Sequence, residues 1–190
     1  MINGEERLRV STDPEVIVQL VRDIEAMDDK GYLKGEGRYN FLKRCLEFTN
    51  TCPFCGNKVL LEKSSKIYRD EKLTGETYIC SAFPECNSSV GTHPGSVVPL
   101  GCMANGVLKR QRMRVHHMIE AVMSQGVKKN EIYKILSKEM NASRGTTHVG
   151  MFDSSMCGRA CEILEPMIIK TDDFQNIVEF SIGDRWNTDF

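Results

Sequence analysis

The chain has 190 residues, of which 41% are hydrophobic and 27% are charged, and its net charge is −1. This length fits one ordinary domain or two small ones, and the composition excludes a wholly disordered chain. No apolar run of about 18 residues occurs and the first residues lack a secretory signal, so neither a membrane span nor secretion is predicted. The expected compartment is the cytoplasm, where the eight cysteines stay reduced and serve as metal ligands or small core residues.

The charge is unevenly distributed along the chain. Residues 101–149 carry nine basic and three acidic side chains, whereas residues 150–190 carry three basic and eight acidic ones. A nearly neutral protein with this division can present one basic surface to an anionic partner. The alternative is that the basic segment pairs with the acidic tail, and the sequence leaves both interpretations open.

The first predicted element is a helix over residues 14–28. Asp13 is its expected N-cap, and Pro14 suits the first helical position. A glycine-rich loop over residues 30–37 separates this helix from a second one, predicted for residues 38–48. The apolar stripe expected on the first helix consists of Ile17, Leu20, Val21 and Ile24.

Short β-type runs replace the helical pattern between residues 51 and 91. The predicted strands are Lys58–Leu61, Lys66–Tyr68 and Thr77–Cys80. Residues 91–101 form a connector that is too rich in glycine and proline for a regular helix.

Three helices are predicted after the connector. The first covers residues 104–124, the second covers Glu131–Met140 with Asn130 as its N-cap, and the third follows Asp153, which is its expected N-cap. The segment Phe174–Ile182 alternates apolar and polar residues, which predicts an edge strand.

Four cysteines have the spacing of a zinc ribbon. Cys52 and Cys55 lie in a Cys-x-x-Cys-Gly motif, and Cys80 and Cys86 follow after the length of a β-hairpin. Four thiolates suit a tetrahedral Zn²⁺ and leave no open position for a catalytic water, so one structural zinc ion is predicted. A thioredoxin-like redox motif would precede a helix, whereas a strand is predicted here.

The ribbon cysteines carry two resemblances to known families. The segment Cys80–Cys86, taken with Cys52–Gly56, resembles the four-cysteine zinc ribbons at the C-terminus of type I bacterial topoisomerases, which implies binding of single-stranded DNA. The cysteines are followed in order by Val90–Gly95, Pro99–Gly101 and His148–Asp153. The four cysteines together with these three segments resemble a family of small zinc-finger-containing proteins of unknown function, which are found largely in phages and prophages. That resemblance implies a phage origin and a fold in which helices follow a zinc ribbon. It implies no activity.

The densest positive segment lies in the helix predicted for residues 104–124. Its cations form a ridge that can contact phosphates through charge and bidentate guanidinium hydrogen bonds. The alternative is a solvated face with local salt bridges. The candidate nucleic-acid-binding residues are Lys109, Arg110, Arg112 and Arg114, and the apolar stripe opposite them is Leu108, Val115, Ile119 and Val122.

Two phenylalanines, Phe54 and Phe83, lie within the predicted metal-binding turns. Their rings can stack on unpaired bases, and the alternative is that they only cover the metal. On the last predicted helix, Cys157 and Cys161 are four residues apart. They are candidates for a second metal site with His148 or Cys102, or for small apolar core residues.

Three histidines, His93, His116 and His148, form a candidate anion or ligand pocket. The alternatives are that they hydrogen-bond loop carbonyls or act in acid–base catalysis. The sequence shows no carboxylate pair for catalytic magnesium, no nucleophile elbow and no glycine-rich phosphate loop. No catalytic residue is therefore predicted.

The predicted fold class is α+β, with a four-cysteine zinc ribbon of short antiparallel strands between two helical parts. The predicted segments are an N-terminal helical extension (1–50), the ribbon with its connector (51–101), a helical part packed on the ribbon (102–170) and an acidic tail (171–190). The predicted function is a non-enzymatic, phage-type protein that binds DNA or RNA. The alternatives are a module or inhibitor that acts on a host protein, and a histidine-dependent enzyme for a nucleotide or phosphodiester.

Overall fold

The computed structural model describes residues 9–10, 13–29, 50–142 and 147–168. The chain divides into two units, Met1–Lys109 and Arg110–Phe190. The predicted loop at residues 30–37, the predicted helix at residues 38–48 and the predicted strand Phe174–Ile182 lie outside the described residues.

An antiparallel sheet of four strands forms the frame of the first unit. The β2–β3 hairpin pairs Val59 with Cys80 at one end and Lys63 with Glu76 at the other. This register separates the cysteine-bearing end of the hairpin from its tip. The strands, which are neighbours in chain order, are β1 (Arg9–Val10), β2 (Val59–Lys63), β3 (Glu76–Cys80) and β4 (Ser89–Gly91).

Helix α1 (Pro14–Asp29) begins as predicted but presents a different face to the core. The carbonyl of Asp13 accepts a hydrogen bond from the Ile17 N–H at 3.0 Å, which places Asp13 at the N-cap. Val16 is buried, whereas Ile17 and Val21 are half-buried, so the predicted stripe is wrong at those two positions. The core side chains of α1 are Val16, Leu20 and Ile24, with Met27 packed against them.

Helix α1 and the sheet share one hydrophobic core. Two of the predicted zinc ligands belong to this core as well, so the metal centre and α1 are parts of the same packed unit. The buried members are Val16, Leu20, Ile24, Cys52, Val59, Leu61, Tyr78, Cys80, Val97, Val98 and Met103.

Two hydrogen bonds attach the connector to this core. The hydroxyl of Tyr78, which is fully buried, donates to the carbonyl oxygen of Val97 at 2.8 Å. The N–H of Val97 donates to Oδ2 of Asp23 on α1 at 2.7 Å. Because both backbone polar groups of Val97 are bonded to side chains, this residue of the irregular connector is buried without leaving its own backbone groups unpaired.

The predicted strand Lys66–Tyr68 is wrong, because these residues lie in the short helix α2 (Ser64–Tyr68). The helix ends at Arg69, which has a φ of 52°, and the hairpin closes where the Ser64 N–H donates to the Gly75 carbonyl at 3.1 Å. A run of three residues is too short for the β period to be distinguished from a helical turn. Strand β4, which directly precedes the connector, was not predicted.

Three longer helices follow the connector: α3 (Gly106–Ser124), α4 (Lys129–Glu139) and α5 (Ser154–Leu164). The predicted N-cap of α5 is confirmed, because Oδ1 of Asp153 accepts a hydrogen bond from the Met156 N–H at 2.8 Å. Asn130 as the N-cap of α4 is wrong. The cap is Lys128, whose N–H donates to the Glu131 carboxylate at 3.3 Å, and this acidic side chain favours a helix start one turn before it.

The predicted apolar stripe of α3 is confirmed, since Leu108, Val115, Ile119 and Val122 are all at most 7% exposed. No helix in the described ranges combines the length and the apolar character needed to cross a membrane. The other helices of the second unit contribute buried side chains from one face each, namely Ile132 and Leu136 of α4 and Cys157, Ala160 and Leu164 of α5.

Candidate metal centre

The first turn of the metal centre contains Cys52 and Cys55. The N–H of Cys52 donates to the Asn57 carbonyl, and the N–H of Gly56 donates to the Cys52 carbonyl, both at 2.9 Å. Gly56 has a φ of +75°, a conformation that glycine adopts without the steric cost of a Cβ atom. This closed turn carries both cysteines on one short loop.

The second turn runs from Cys80, the last residue of β3, to Cys86. The Phe83 N–H donates to the Cys80 carbonyl at 3.1 Å, and the Cys86 N–H donates to the Ala82 carbonyl at 2.8 Å. The N–H of Cys80 is bonded to the Ser88 carbonyl at 3.0 Å. These bonds fold the five residues between the cysteines into two consecutive turns. The thiol of Cys86 therefore lies close to that of Cys80 in spite of the wider spacing.

The four cysteine sulfurs converge on one point. All lie within 4.8 Å of one another, with Cys52 Sγ 3.6 Å from Cys86 Sγ and Cys55 Sγ 3.3 Å from Cys80 Sγ. A tetrahedron with Zn–S bonds of about 2.3 Å places its sulfurs about 3.8 Å apart, which is slightly longer than these two separations and inside the 4.8 Å limit. The four thiols are free, and their separations are well above the roughly 2.05 Å of a disulfide. The donor set therefore fits one Zn²⁺.

Hydrogen bonds reach two of the four sulfurs. The side-chain amide of Asn57 donates to Cys55 Sγ at 3.3 Å, and the N–H of Ala82 donates to Cys80 Sγ at 3.4 Å. The backbone N–H of Asn57 and then its side chain lower the pKa of the Cys55 thiol to about 6, whereas burial raises the pKa of Cys80 and Cys86. Donors of this kind offset the negative charge that four thiolates concentrate around a metal.

The metal centre has a buried side and an exposed side. Cys52 and Cys80 are 2% and 1% exposed and belong to the core, whereas Cys55 is exposed and Cys86 is half-buried. Because two of the ligands are also core side chains, metal binding stabilises the packed core around them.

Residues 48–167 match the family model of a zinc-finger-containing domain. The chain belongs to this family. The match covers more than half of the sequence, includes the four cysteines, and confirms the predicted zinc-finger character and the site for one zinc ion. The predicted α+β fold class is confirmed by the small antiparallel sheet and the helices of this zinc-finger-containing protein. No curated protein and no solved structure matches the chain.

Phe54 and Phe83, one in each turn of the metal centre, are exposed to solvent. Their exposed fractions are 41% and 37%. Each of the two phenylalanines thus keeps a large accessible surface beside the four sulfurs, which lie within 4.8 Å of one another.

Asn57 is a further residue of this site that the cysteine spacing alone does not indicate. The sequence signal for it is a polar residue directly after the Cys-x-x-Cys-Gly motif.

Of the four predicted nucleic-acid-binding cations, Arg110 and Arg114 are exposed. They are four residues apart on α3, so their side chains lie on the same face of the helix. Neither forms an ion pair with an acidic side chain in the part of the chain that the structure describes.

The other two predicted cations are half-buried and bonded to neutral oxygens. Nζ of Lys109 donates to Oγ of Ser89 at 2.7 Å, and burial lowers its pKa. Nε of Arg112 donates to the carbonyl oxygen of Phe152 at 2.8 Å. Lys109 is therefore bonded to strand β4 and Arg112 to the segment before α5, and a phosphate contact by either remains a prediction.

The three predicted pocket histidines have different surroundings. His93 is half-buried in the connector, where burial lowers its pKa, and His116 is exposed on α3. His148 is exposed, and its Nδ1 accepts a hydrogen bond from the Gly150 N–H at 3.2 Å. This bond involves a backbone N–H rather than a loop carbonyl, and a common ligand pocket for the three histidines remains a prediction.

Among the described residues, the four-cysteine group is the one place where three or more side chains of metal-ligand type bring their donor atoms together. Cys157 is buried and Cys161 is half-buried on α5. Burial raises the pKa of Cys157 to about 11 and also raises that of Cys161. These two thiols therefore behave as small apolar side chains of the second unit.

Proposed function

We propose that this zinc-finger-containing protein binds single-stranded nucleic acid. The observation that carries the proposal is the exposed pair of Arg110 and Arg114, which has no acidic partner within the described ranges. Phosphate contacts supply most of the affinity of proteins for nucleic acids, and arginine contacts phosphate through two parallel hydrogen bonds.

The exposed rings of Phe54 and Phe83 favour a single strand over a duplex. Unpaired bases stack on aromatic side chains, and this contact tolerates any sequence because every base has a flat π-face. Both rings are more than a third exposed and lie in turns joined by one metal centre. The resemblance to topoisomerase zinc ribbons points to the same ligand.

Reversing the charge of the arginine pair is expected to weaken binding selectively. The variant Arg110→Glu/Arg114→Glu should bind a fluorescent 20-nucleotide DNA or RNA strand about 10- to 100-fold more weakly at low salt, because two phosphate contacts become repulsive. The slope of log affinity against log salt should also fall by about 1.4. Fluorescence anisotropy across a salt series measures both quantities.

The matched control is Lys134→Glu/Lys138→Glu on α4. These two lysines are exposed, have the same four-residue spacing and undergo the same change of charge. An equal loss of affinity in both double variants would mean that only net charge matters and would contradict a specific site. The absence of any binding by the unmodified protein at low salt would remove the proposed function.

Truncating the two rings tests the stacking contact. Phe54→Ala and Phe83→Ala are each expected to cost about 1–3 kcal/mol of binding free energy, which is the value for one stacked base. Zinc content should stay at one ion per chain, since neither ring is a ligand. Tyr68→Ala is the control, because Tyr68 is 45% exposed but lies at the hairpin tip, away from the cysteine end. Unchanged affinity in both phenylalanine variants would show that the rings do not contact bases.

A further inference from the structure

Ser88 carries a buried hydroxyl group that no hydrogen bond satisfies. The residue is 0% exposed, and its Oγ has no partner in the part of the chain that the structure describes. Burying a hydroxyl group without a partner is unfavourable, and native proteins pair the large majority of such atoms. The groups that surround Ser88 therefore decide which acceptor this hydroxyl serves.

The sheet register places Ser88 directly beside a ligand of the metal centre. Strands β3 and β4 pair Ile79 with Ser89, and the Cys80 N–H donates to the Ser88 carbonyl at 3.0 Å. The antiparallel pairing thus continues by one residue, to Cys80 and Ser88. Two residues directly opposite each other in such a pair have their side chains on the same face of the sheet. The Ser88 hydroxyl and the Cys80 sulfur therefore share one face.

The hydroxyl of Ser88 is within reach of the Cys80 sulfur. The Cβ atoms of a directly opposed pair are about 4.5–5.5 Å apart. Oγ and Sγ each lie one bond beyond Cβ, so a change of the χ1 rotamer of Ser88 brings its hydroxyl into hydrogen-bond distance of the sulfur. On its other side Cys80 is paired with Val59, whose side chain has no donor. Ser88 is therefore the cross-strand neighbour of Cys80 that can donate a hydrogen bond from its side chain.

A donor has its largest effect on the buried side of the metal centre. Cys80 is 1% exposed, whereas Cys55 is exposed, so water can solvate the sulfur of Cys55 but not that of Cys80. The Ala82 N–H reaches Cys80 Sγ at 3.4 Å. A cysteine must lose its proton to bind a metal ion, and each hydrogen bond to a buried thiolate stabilises the charged form. A second donor at Cys80 would therefore favour metal binding.

We propose that the Ser88 hydroxyl donates a hydrogen bond to the Cys80 thiolate in the zinc-loaded protein. Ser88 is then a positioning residue of the metal centre, because it orients the sulfur of Cys80 and offsets part of its negative charge. A neutral thiol is a weak acceptor and a thiolate a strong one, so the bond strengthens when the metal replaces the proton. This bond belongs to the metal centre alone and does not depend on the binding of nucleic acid.

The variant Ser88→Ala tests this bond in the full chain. We expect its zinc affinity, measured in competition with a chelator, to fall by about 10-fold or more, as is typical when an outer-shell partner of a metal ligand is lost. In the cobalt-substituted variant the sulfur-to-cobalt charge-transfer band should shift to lower energy, because a thiolate that has lost a hydrogen bond donates electrons to the metal more readily.

The matched control is Ser89→Ala, on the opposite face of the same strand. Ser89 is 6% exposed, and its hydroxyl is bonded to Nζ of Lys109 at 2.7 Å. Its replacement also removes a buried hydroxyl, but it should leave the charge-transfer band in place. An unchanged band in Ser88→Ala, or equal shifts in both variants, would overturn the proposed bond. Weaker zinc binding by Ser88→Ala without a shift of the band would show an effect on packing alone and would overturn it as well.

A second measurement uses the unmodified protein and needs no variant to fold. When the protein is loaded with an NMR-active cadmium isotope, scalar coupling between the metal and a proton crosses a hydrogen bond to a ligating sulfur. The Ala82 N–H is the internal reference, because it is bonded to Cys80 Sγ. We expect a second coupled proton on the Ser88 hydroxyl, which is shielded from exchange with water by its complete burial. Coupling to the Ala82 N–H without coupling to Ser88 would overturn the proposed bond.

Discussion

Replacing Cys52 or Cys80 by serine is expected to unfold the first unit. Both side chains are at most 2% exposed, and both are members of the core as well as ligands of the metal centre. Structural zinc contributes about 10–16 kcal/mol in small zinc-finger peptides, which is comparable to the whole net stability of a domain. Loss of a ligand should therefore remove zinc and speed amide hydrogen exchange in strands β2 and β3 towards unfolded rates. Zinc analysis and hydrogen exchange measure the two effects.

Cys157→Ser is the matched control for this experiment. Cys157 is also 2% exposed, but it lies on α5 and belongs to no metal group in the described chain. Its replacement buries a hydroxyl without removing a ligand, so the expected cost is only about 1–3 kcal/mol with zinc retained. A strong chelator should reproduce the loss of protection in the unmodified protein. Full protection of β2 and β3 after zinc removal would contradict a folding role for the metal.

The metal centre could be predicted because its determinants are local in the sequence. Two cysteines two residues apart, followed by glycine, specify a turn that holds both thiols, and the sheet register then brings Cys80 opposite Val59. The apolar stripe of α3 could be predicted for a similar reason, since 19 helical residues give several periods of the pattern.

Features that depend on the tertiary partner could not be predicted. On α1, Val16 rather than Ile17 is buried, because the position of the sheet decides which of two adjacent apolar residues enters the core. Lys109 and Arg112 have the same charge as the exposed Arg110, but Ser89 and Phe152 supply the oxygens that bind them. A linear sequence shows charge and periodicity, and it does not show these distant acceptors.

The mutation Ile24→Ala is expected to destabilise the first unit through helix α1. Ile24 is 1% exposed and packs in the same cluster as Cys52 and Cys80, and truncation of such a side chain typically costs about 2–5 kcal/mol. The control is Val18→Ala on the same helix. Val18 is 48% exposed, and alanine has the higher helix propensity, so its replacement should change the stability by less than about 0.5 kcal/mol. Hydrogen exchange of the β2 and β3 amides in the zinc-loaded protein measures the change in stability caused by each of the two mutations.

The position of Ile24 also links α1 to the metal. Because zinc binds the folded first unit, a less stable unit releases its metal more readily, and Ile24→Ala should lower the zinc concentration retained in competition with a chelator. Val18→Ala should retain zinc as the unmodified protein does. Equal behaviour of the two variants would show that α1 contributes nothing to the stability of the ribbon, in spite of the shared core. A selective loss in Ile24→Ala would establish that the helix preceding the ribbon is part of the structure that holds the ion.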